Sequence, residues 1–484
     1  MPEHRPPLES PLSKQPLRRP TNALPAAARR VVDAELLEAA TAAEPGPRAW
    51  VGEFRWLLGH AAIAPLAATE PDAPLSLGAI AGQYAACFPR VSADEDWLAG
   101  RSMAVVARRL APLLAPGAEV ALDLSTVTRG AEAQAPRTEH MRLVASGLEA
   151  ALPGALGRYG IVPGRLTLSA SADHPGIGDL LRLRHCAALG RPRIAIRLPD
   201  ALMLALRGAE TGESAAWRGD PLPLWQGLTG IGHREPGVHL LLQHTTRPAC
   251  TLAGAERGDT VLPLGLFEVR ADSAWLAVEL RLDALPGQSP AEVLAGLRRL
   301  LRATLRLADN LVELADWPSP ELGQDALVNR RLALHVTGFG DLVDRWGLDP
   351  EEFGTVRLAL RWIGLLRRLL LRESNALARE RGPFPGLELR ELQASLSRSF
   401  GAERARRVLR QAGLRHRHLL VLSPYGVFPR GCPRRPLPAY LHLLPVMRYA
   451  DTIAMHGDGI IRALPPQTFR RLLRLAWAIG HNRP

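Results

Sequence analysis

The sequence NRRLALHVTGFGDLVDRWGL, Asn329 to Leu348, shows a clear local pattern. It places a short apolar run, Leu332 to Val336, before a glycine turn and the start of a helical pattern. Apolar runs of this length that end in turn residues are typical of buried strands. The stretch therefore predicts a strand, a turn and a helix, which together are the building unit of an α/β domain.

The same alternation of short β-type runs and longer helical patterns extends from about residue 120 onward. RLTLSA and RIAIR each precede a helical pattern. The clearest helix carries a set of apolar residues on one face at spacings of three and four: Leu294, Leu297, Leu301, Leu305, Ala308 and Val312. In SADHPGIGDLL, Pro175 is predicted as the first helical residue, with Asp173 or His174 near the cap. We expect an α/β domain with a largely buried sheet, either open or closed into a barrel.

The composition indicates which classes of protein and partner are compatible with this chain. The chain has 484 residues, of which 47% are hydrophobic, so it can bury a sizeable core. The net charge of +12 suits an anionic partner such as a nucleotide, nucleic acid or an acidic protein. Lys14 is the only lysine, so arginine carries nearly all the positive charge. Residues 1–30 are basic and rich in proline, which predicts a disordered tail.

The cysteines exclude two kinds of site. Cys87, Cys186, Cys250 and Cys432 are far apart, without a CxxC pair or the spacing of a zinc site. We therefore expect no disulfide framework and no metal site. The N-terminus lacks the apolar core of a signal peptide, and the run WIGLLRRLLL is broken by two arginines. The expectation is a soluble, cytoplasmic protein without a membrane partner.

Six blocks, in order, resemble the large catalytic subunit of ribonucleotide reductases, especially the adenosylcobalamin-dependent class. They are ALDLSTVTRGAEAQ, EHMRLVASGLEAAL, SADHPGIGDLLRLRH, RIAIRLPDALMLAL, LRLADNLVELADWPSPELGQDALVNRRLALHVTGFGDLVDRWGL and ESNALARERGPFP. The resemblance covers roughly residues 95–430. It implies a ten-stranded α/β barrel of two parallel five-stranded halves, with a finger loop through its centre. The implied organisation is a tail at 1–30, a helical N-terminal region at 31–120 and a barrel domain at 121–484.

The resemblance also implies thiyl-radical removal of the ribose 2′-hydroxyl, with an Asn-x-Cys-x-Glu finger. Residues two apart on an extended segment face the same side, so the thiol would lie between an orienting amide and a basic carboxylate. The matching region is TTRPACTLAGAERGDTVLPLGLFEV, which makes Cys250 the candidate catalytic residue. Pro248 and Leu252 stand where the amide and carboxylate are implied. Glu256 or Glu268 could replace the carboxylate only through an unusual loop path.

Other implied parts are missing. The family's reducing cysteine pair should have one member before ALDLSTV and one after the finger, yet residues 88–185 and 251–431 contain no cysteine. The substrate loop implied between Trp97 and Asp123 is absent, and no CxxC pair ends the chain. These losses predict that the usual chemistry is gone.

A phosphate-binding turn is half preserved. Where the family has APTGTIS after a strand, this chain has LSPYGVFP, with Ser423, Tyr425 and Gly426 as candidate phosphate-binding residues. Backbone N–H groups at such a turn can bind a phosphate when glycine permits a close approach. Just upstream, RHRH at 415–418 is expected to begin a strand at the surface.

The reading that follows is a catalytically inactive scaffold or regulatory homologue, with a protein partner and weak nucleotide binding. One alternative is an active, divergent reductase that makes deoxyribonucleotides by thiyl-radical chemistry with Cys250. Adenosylcobalamin is expected as a cofactor only in that alternative. A second alternative is a basic nucleic-acid-binding protein, because Arg357, Arg361, Arg368 and Arg372 recur at helical spacing, although Trp362 is the single interleaved aromatic.

Overall fold

The structure is a computed structural model. It describes residues 47–65, 84–88, 107–125, 137–156, 166–242 and 260–423, with short gaps inside these ranges, and three residues further on, Gln467, Arg470 and Arg474. The expected tail at 1–30, the candidate catalytic Cys250 and the turn residues Tyr425 and Gly426 lie outside the described residues.

Helices and strands alternate over most of the described chain. The strands are β1 (Ile63–Pro65), β2 (Ala85–Phe88), β3 (Glu119–Asp123), β4 (Leu166–Ser171), β5 (Arg193–Leu198), β6 (Val238–Leu242), β7 (Thr260–Val261), β8 (Glu268–Val269), β9 (Ser273–Arg281), β10 (Arg331–Thr337) and β11 (Leu419–Ser423). The helices are α1 (Pro47–Gly59), α2 (Arg137–Leu156), α3 (Ile177–Leu183), α4 (Asp200–Thr211), α5 (Pro221–Arg234), α6 (Pro290–Leu314), α7 (Pro320–Asn329), α8 (Phe339–Arg345), α9 (Phe353–Arg381), α10 (Leu389–Phe400) and α11 (Ala402–Gln411).

The main sheet consists of two parallel groups that meet at one antiparallel seam. Its strand order is β11-β10-β9-β2-β3-β4-β5-β6, and β1 pairs with β9. Strands β2 to β6 are parallel to one another, as are β9 to β11, and β2 runs antiparallel to β9. This arrangement confirms the α/β class. No pairing among the described strands closes β6 onto β11, so a ten-stranded barrel is not shown.

Part of the N-terminal region that was expected to be helical, residues 31–120, forms strands instead. β1 and β2 lie within it, and β2 is in the middle of the sheet between β3 and β9. Strands of three and four residues are too short to show a period in the sequence, and their pairing partners on β9 lie about two hundred residues further along the chain. The sheet therefore begins well before residue 121.

The stretch from Asn329 to Leu348 folds as predicted, as strand β10, a turn and helix α8. The turn depends on Gly338, whose φ of +78° is unfavourable for residues with a side chain. A methyl group there would lie 2.1 Å from Oδ1 of Asp283, so the close approach also requires glycine. The turn thereby fixes the carboxyl end of β10 against the segment that follows β9.

The long helix predicted from its leucine spacing is confirmed as α6. Ser289 caps it, because its hydroxyl accepts a hydrogen bond from the Glu292 N–H at 3.4 Å. Leu297 and Leu301 are fully buried in the main core, and the helix packs against α9 and β9. None of the helices in the described residues is both long enough and apolar enough to cross a bilayer.

Candidate functional site

Polar side chains follow the carboxyl ends of three neighbouring parallel strands, β3, β4 and β5. The register places Asp123 opposite Ser169, and Ser171 opposite Arg197. Because side chains alternate between the faces of a strand, these four lie on one face. Residues on the opposite face join the main hydrophobic core. The crevice at the carboxyl ends of parallel strands is where α/β sheets bind ligands, which makes this edge the candidate site.

The polar face is itself covered. Ala195 and Leu241 lie on it and are buried together, separately from the main core. Strand β7, which forms a hairpin with β8, lies against β3 and β4. Since β3 and β4 are both paired on their two sides, β7 contacts them without joining the main sheet. This hairpin belongs to the region expected to form the finger, shortly after Cys250 in the chain.

An ion pair forms the centre of the site. The Arg197 Nη2 donates to Oδ2 of Asp123 at 2.6 Å and to the Ser125 hydroxyl oxygen at 2.5 Å. The Ser125 N–H donates to Oδ1 of Asp123 at 3.0 Å, and the Ser171 N–H donates to the Ser125 hydroxyl oxygen at 3.0 Å. The Arg197 and Asp123 side chains are 16% and 14% exposed. We refer to Asp123, Ser125, Ser171, His174 and Arg197 as the carboxyl-edge cluster.

His174 adds a buried hydrogen-bond donor to the cluster. Its Nδ1 accepts from the Gly176 N–H at 3.0 Å, so the proton of the neutral ring is on Nε2. That Nε2 is buried, and none of the described residues forms a hydrogen bond with it. Burial lowers the pKa of His174, while nearby carboxylates, including Asp123, oppose the shift. Helix α3 begins only at Ile177, so the prediction that Pro175 would be the first helical residue is wrong.

The motifs that carried the family resemblance converge on a different place, a buried ion network around Asp309 on α6. The Asp309 carboxylate accepts from Arg330 at 2.7 Å, from Arg381 at 2.8 Å and from Arg415 at 2.9 Å. Its side chain is fully buried. Burial alone would raise the pKa of Asp309, but His416 and the guanidinium groups of Arg330 and Arg415 lower it to about 2. The carboxylate therefore stays ionised and joins three separate segments of the chain.

His416 is the neutral member of this network. The Ser374 hydroxyl oxygen accepts a hydrogen bond from the backbone N–H of His416 at 3.3 Å and also lies 3.1 Å from the ring Nδ1 of His416. The ring Nε2 of His416 lies 3.7 Å from Oδ1 of Asp309. Burial lowers the pKa of His416 to about 4; Asp309 opposes the shift and the neighbouring arginines add to it. Arg415, His416 and His418 are all buried, so the expectation that RHRH begins a strand at the surface is wrong. These residues can be buried because the Asp309 carboxylate neutralises the charge of Arg415 and the Trp275 ring stacks on the His418 ring.

A second polar group, with one ion pair and several hydrogen bonds, lies beside the first. The Asp325 carboxylate accepts from Asn329 at 2.8 Å, from the Ala274 N–H at 2.8 Å and from Arg331. Arg417 donates to Oδ1 of Asn329 at 2.9 Å. These contacts join α7, β9, β10 and the start of β11, which are the elements around the NRR motif. The NRR motif therefore serves the structure.

A cysteine that no motif in the sequence marks as functional, Cys87, lies at the antiparallel seam. Cys87 is one residue before the cysteine-free interval, and it lies on β2 directly opposite Ala274 on β9. Opposite residues in an antiparallel ladder alternate between hydrogen-bonded pairs and closer, non-hydrogen-bonded pairs. The Ala277 N–H donates to the Tyr84 carbonyl at 2.7 Å, so Tyr84 and Ala277 form a hydrogen-bonded pair. Cys87 and Ala274, three positions along, therefore form a non-hydrogen-bonded pair. Both residues belong to the main core, and burial, with a smaller effect of a nearby carboxylate, raises the pKa of Cys87 to about 12. Strand β2, AACF, is too short to show a period, so no pattern in the sequence marks this position.

The structure describes only some of the other residues that the sequence singled out. Ser423 is the last residue of β11, and its side chain is not described. Arg361, Arg368 and Arg372 are exposed on α9, but Trp362 is 1% exposed and cannot stack on a base. Within the part of the chain that the structure describes, no three side chains of the metal-binding types come together.

Comparison with known proteins gives one partial similarity. No protein-family model matches the chain. A segment of 89 residues is 32% identical to the vitamin B12-dependent ribonucleoside-diphosphate reductase of Mycobacterium tuberculosis, in both strain CDC 1551 / Oshkosh and strain ATCC 25618 / H37Rv. The match covers 18% of this chain and 13% of the length of the relative. The chain is thus similar to part of a B12-dependent ribonucleotide reductase, at a distance.

Proposed function

We propose that this protein is a ribonucleotide-reductase-like scaffold that carries out no thiol-based reduction and acts through a protein partner. The observation that carries the proposal is the pair of Cys87 and Ala274 at the seam. A reducing pair needs two thiols in contact, and here the retained thiol faces a methyl group. Its pKa of about 12 also keeps it protonated, whereas thiol exchange requires the thiolate.

The finger sequence supports the same conclusion. Cys250 lacks an amide and a carboxylate at the neighbouring positions, where Pro248 and Leu252 stand. General base catalysis requires a group that accepts the proton within hydrogen-bond reach, and neither side chain can do so. By contrast, the residues that support the fold are well paired, since Asp309 accepts hydrogen bonds from three arginines. A chain that keeps its scaffold and loses its reactive groups fits a role in binding.

The test is an anaerobic assay of the purified chain with all four ribonucleoside di- and triphosphates, adenosylcobalamin and dithiothreitol. We expect no deoxyribonucleotide above the level of the Cys250→Ala variant, with an active reductase as the positive control. Cysteine-dependent product would refute the proposal. Calorimetry with the same nucleotides then measures the weak nucleotide binding that we propose for Ser423, Tyr425 and Gly426.

The second candidate is an active, divergent reductase with Cys250 as radical carrier and adenosylcobalamin as cofactor. The carboxyl-edge cluster favours it, because the ion pair of Arg197 and Asp123 and the buried Nε2 of His174 can orient a polar substrate. In that case Arg197→Met should abolish product formation together with Cys250→Ala. A nucleic-acid-binding role has less support, since Trp362 is buried.

A further inference from the structure

An open groove of about 340 Å³ lies between helices α1 and α6, and arginines dominate its wall. Arg298, Arg299 and Arg302 line it from α6, and Trp50 and Glu53 line it from α1. Residues three and four apart on a helix are neighbours on its surface, so the three guanidinium groups occupy a single turn. The volume is within the range of small-molecule sites.

The ion pairs around the groove leave one arginine without a counter-charge. Arg298 pairs with Glu373 at 3.0 Å, and Arg299 pairs with Glu53 at 2.8 Å. Arg302 has no acidic partner among the described residues, and its guanidinium lies 5.0 Å from the centre of the Trp50 ring. Arg298 and Arg299 remain 55% and 50% exposed in their pairs. The Glu53 side chain is also 33% exposed, so its pair with Arg299 is weak and a stronger anion can compete for that arginine. The Glu373 side chain is only 5% exposed, so Arg298 stays paired with it and contributes a fixed positive charge to the groove.

The tryptophan supports the arginines and does not offer a stacking surface. The Trp50 residue is 8% exposed, and Arg306 covers the same ring at 4.2 Å. Arg306 is itself held by Glu380. A ligand in the groove would therefore meet guanidinium groups rather than an aromatic face. Planar guanidinium groups bind phosphate oxygens in pairs, and three of them in one helical turn suit a short chain of phosphoryl groups.

We propose that the groove binds an oligophosphate chain, with Arg302 as its main contact, Arg299 turning from Glu53 towards it, and Arg298 remaining paired with the buried Glu373. The chemistry is shared by inorganic triphosphate and by the triphosphate of a nucleotide. The site is separate from the carboxyl-edge cluster and requires no cysteine. Phosphate binding in the groove is therefore a further property of the protein, and it does not depend on whether the protein is a catalytically inactive scaffold.

Calorimetry on the full chain tests the proposal, with sodium triphosphate and ATP as separate probes. Arg302→Gln should weaken triphosphate binding about ten-fold or more, because hydrogen bonds to charged groups are the strong ones. The matched control is Arg372→Gln, an exposed arginine on α9 that should leave affinity unchanged. Affinity should also fall with added salt.

The outcomes separate the sources of the ligand. Equal affinity for the two probes assigns recognition to the phosphate chain alone, and tighter ATP binding assigns it to a nucleotide; both support the site. Absence of binding at millimolar triphosphate would overturn the proposal, as would equal losses in Arg302→Gln and Arg372→Gln. Tighter binding of a poly-glutamate peptide than of triphosphate would also overturn it, in favour of an acidic protein.

Discussion

Replacement of Asp309 by asparagine is expected to destabilise the protein severely. The carboxylate is fully buried and neutralises three arginines whose side chains are 7%, 13% and 8% exposed. Asparagine has nearly the same shape but no charge, so the variant leaves Arg330, Arg381 and Arg415 clustered without their common anion. Removal of one partner from a buried ion pair typically costs about 3–5 kcal/mol. Glu313 also pairs with Arg330, but it is 47% exposed and can compensate only in part.

The assay is urea unfolding at pH 7, followed by circular dichroism, for Asp309→Asn and for a matched control. The control is Glu403→Gln, which removes a carboxylate from a pair with Arg407 whose side chains are 86% and 70% exposed. That pair should contribute less than about 1 kcal/mol. A loss below about 1 kcal/mol in Asp309→Asn as well would show that the network does not stabilise the fold, and the reasoning would fail.

Three further predictions concern pH, the seam and the turn. The pKa of His416 is lowered from 6.5 to about 4 in the folded protein, so protonation favours the unfolded state. The free energy of unfolding should therefore fall by about 3 kcal/mol as the pH falls from 6.5 towards 4. For His416→Gln, the free energy of unfolding should depend less on pH over that range. Ala274→Cys should form a disulfide with Cys87 when the unfolded chain refolds under oxidising conditions, because a non-hydrogen-bonded pair has a Cα separation of roughly 4.5 Å, within disulfide range. Two free thiols in the refolded chain would show that the register is wrong. Gly338→Ala should lower the free energy of unfolding in urea by more than about 2 kcal/mol, because φ is +78° and the added methyl group would clash with Asp283. Gly347→Ala has φ +64° but open space around it, so it should cost only about 1–2 kcal/mol. Equal losses would argue against the close approach of Gly338 to Asp283.

The parts of the fold that could be predicted from the sequence depend on local pattern. The leucine spacing of α6 and the apolar run at Leu332 to Val336 each lie within one element, so a window of the sequence contains the whole signal. Strand β2 could not be predicted in this way, because four residues show no period and its partner on β9 is far away in the chain. The order of the strands in the sheet depends on such distant pairings as well.

The candidate site was harder to predict for the same reason. Arg415 and His416 have the composition of a surface segment, and their burial depends on Asp309, 106 residues away from Arg415. The pairing of Asp123 with Arg197 likewise spans 74 residues. Charged residues carry no sequence signal for burial when the neutralising partner is distant, and only the folded chain brings them together.

The amount of deoxyribonucleotide formed per chain in the anaerobic assay with adenosylcobalamin and dithiothreitol separates an inactive scaffold from an active reductase. A scaffold without its second reducing thiol and without a finger carboxylate should yield no product above the Cys250→Ala variant. Product that forms repeatedly in the wild-type chain and disappears in Cys250→Ala would contradict the account, and would mean that another residue takes the place of the missing carboxylate.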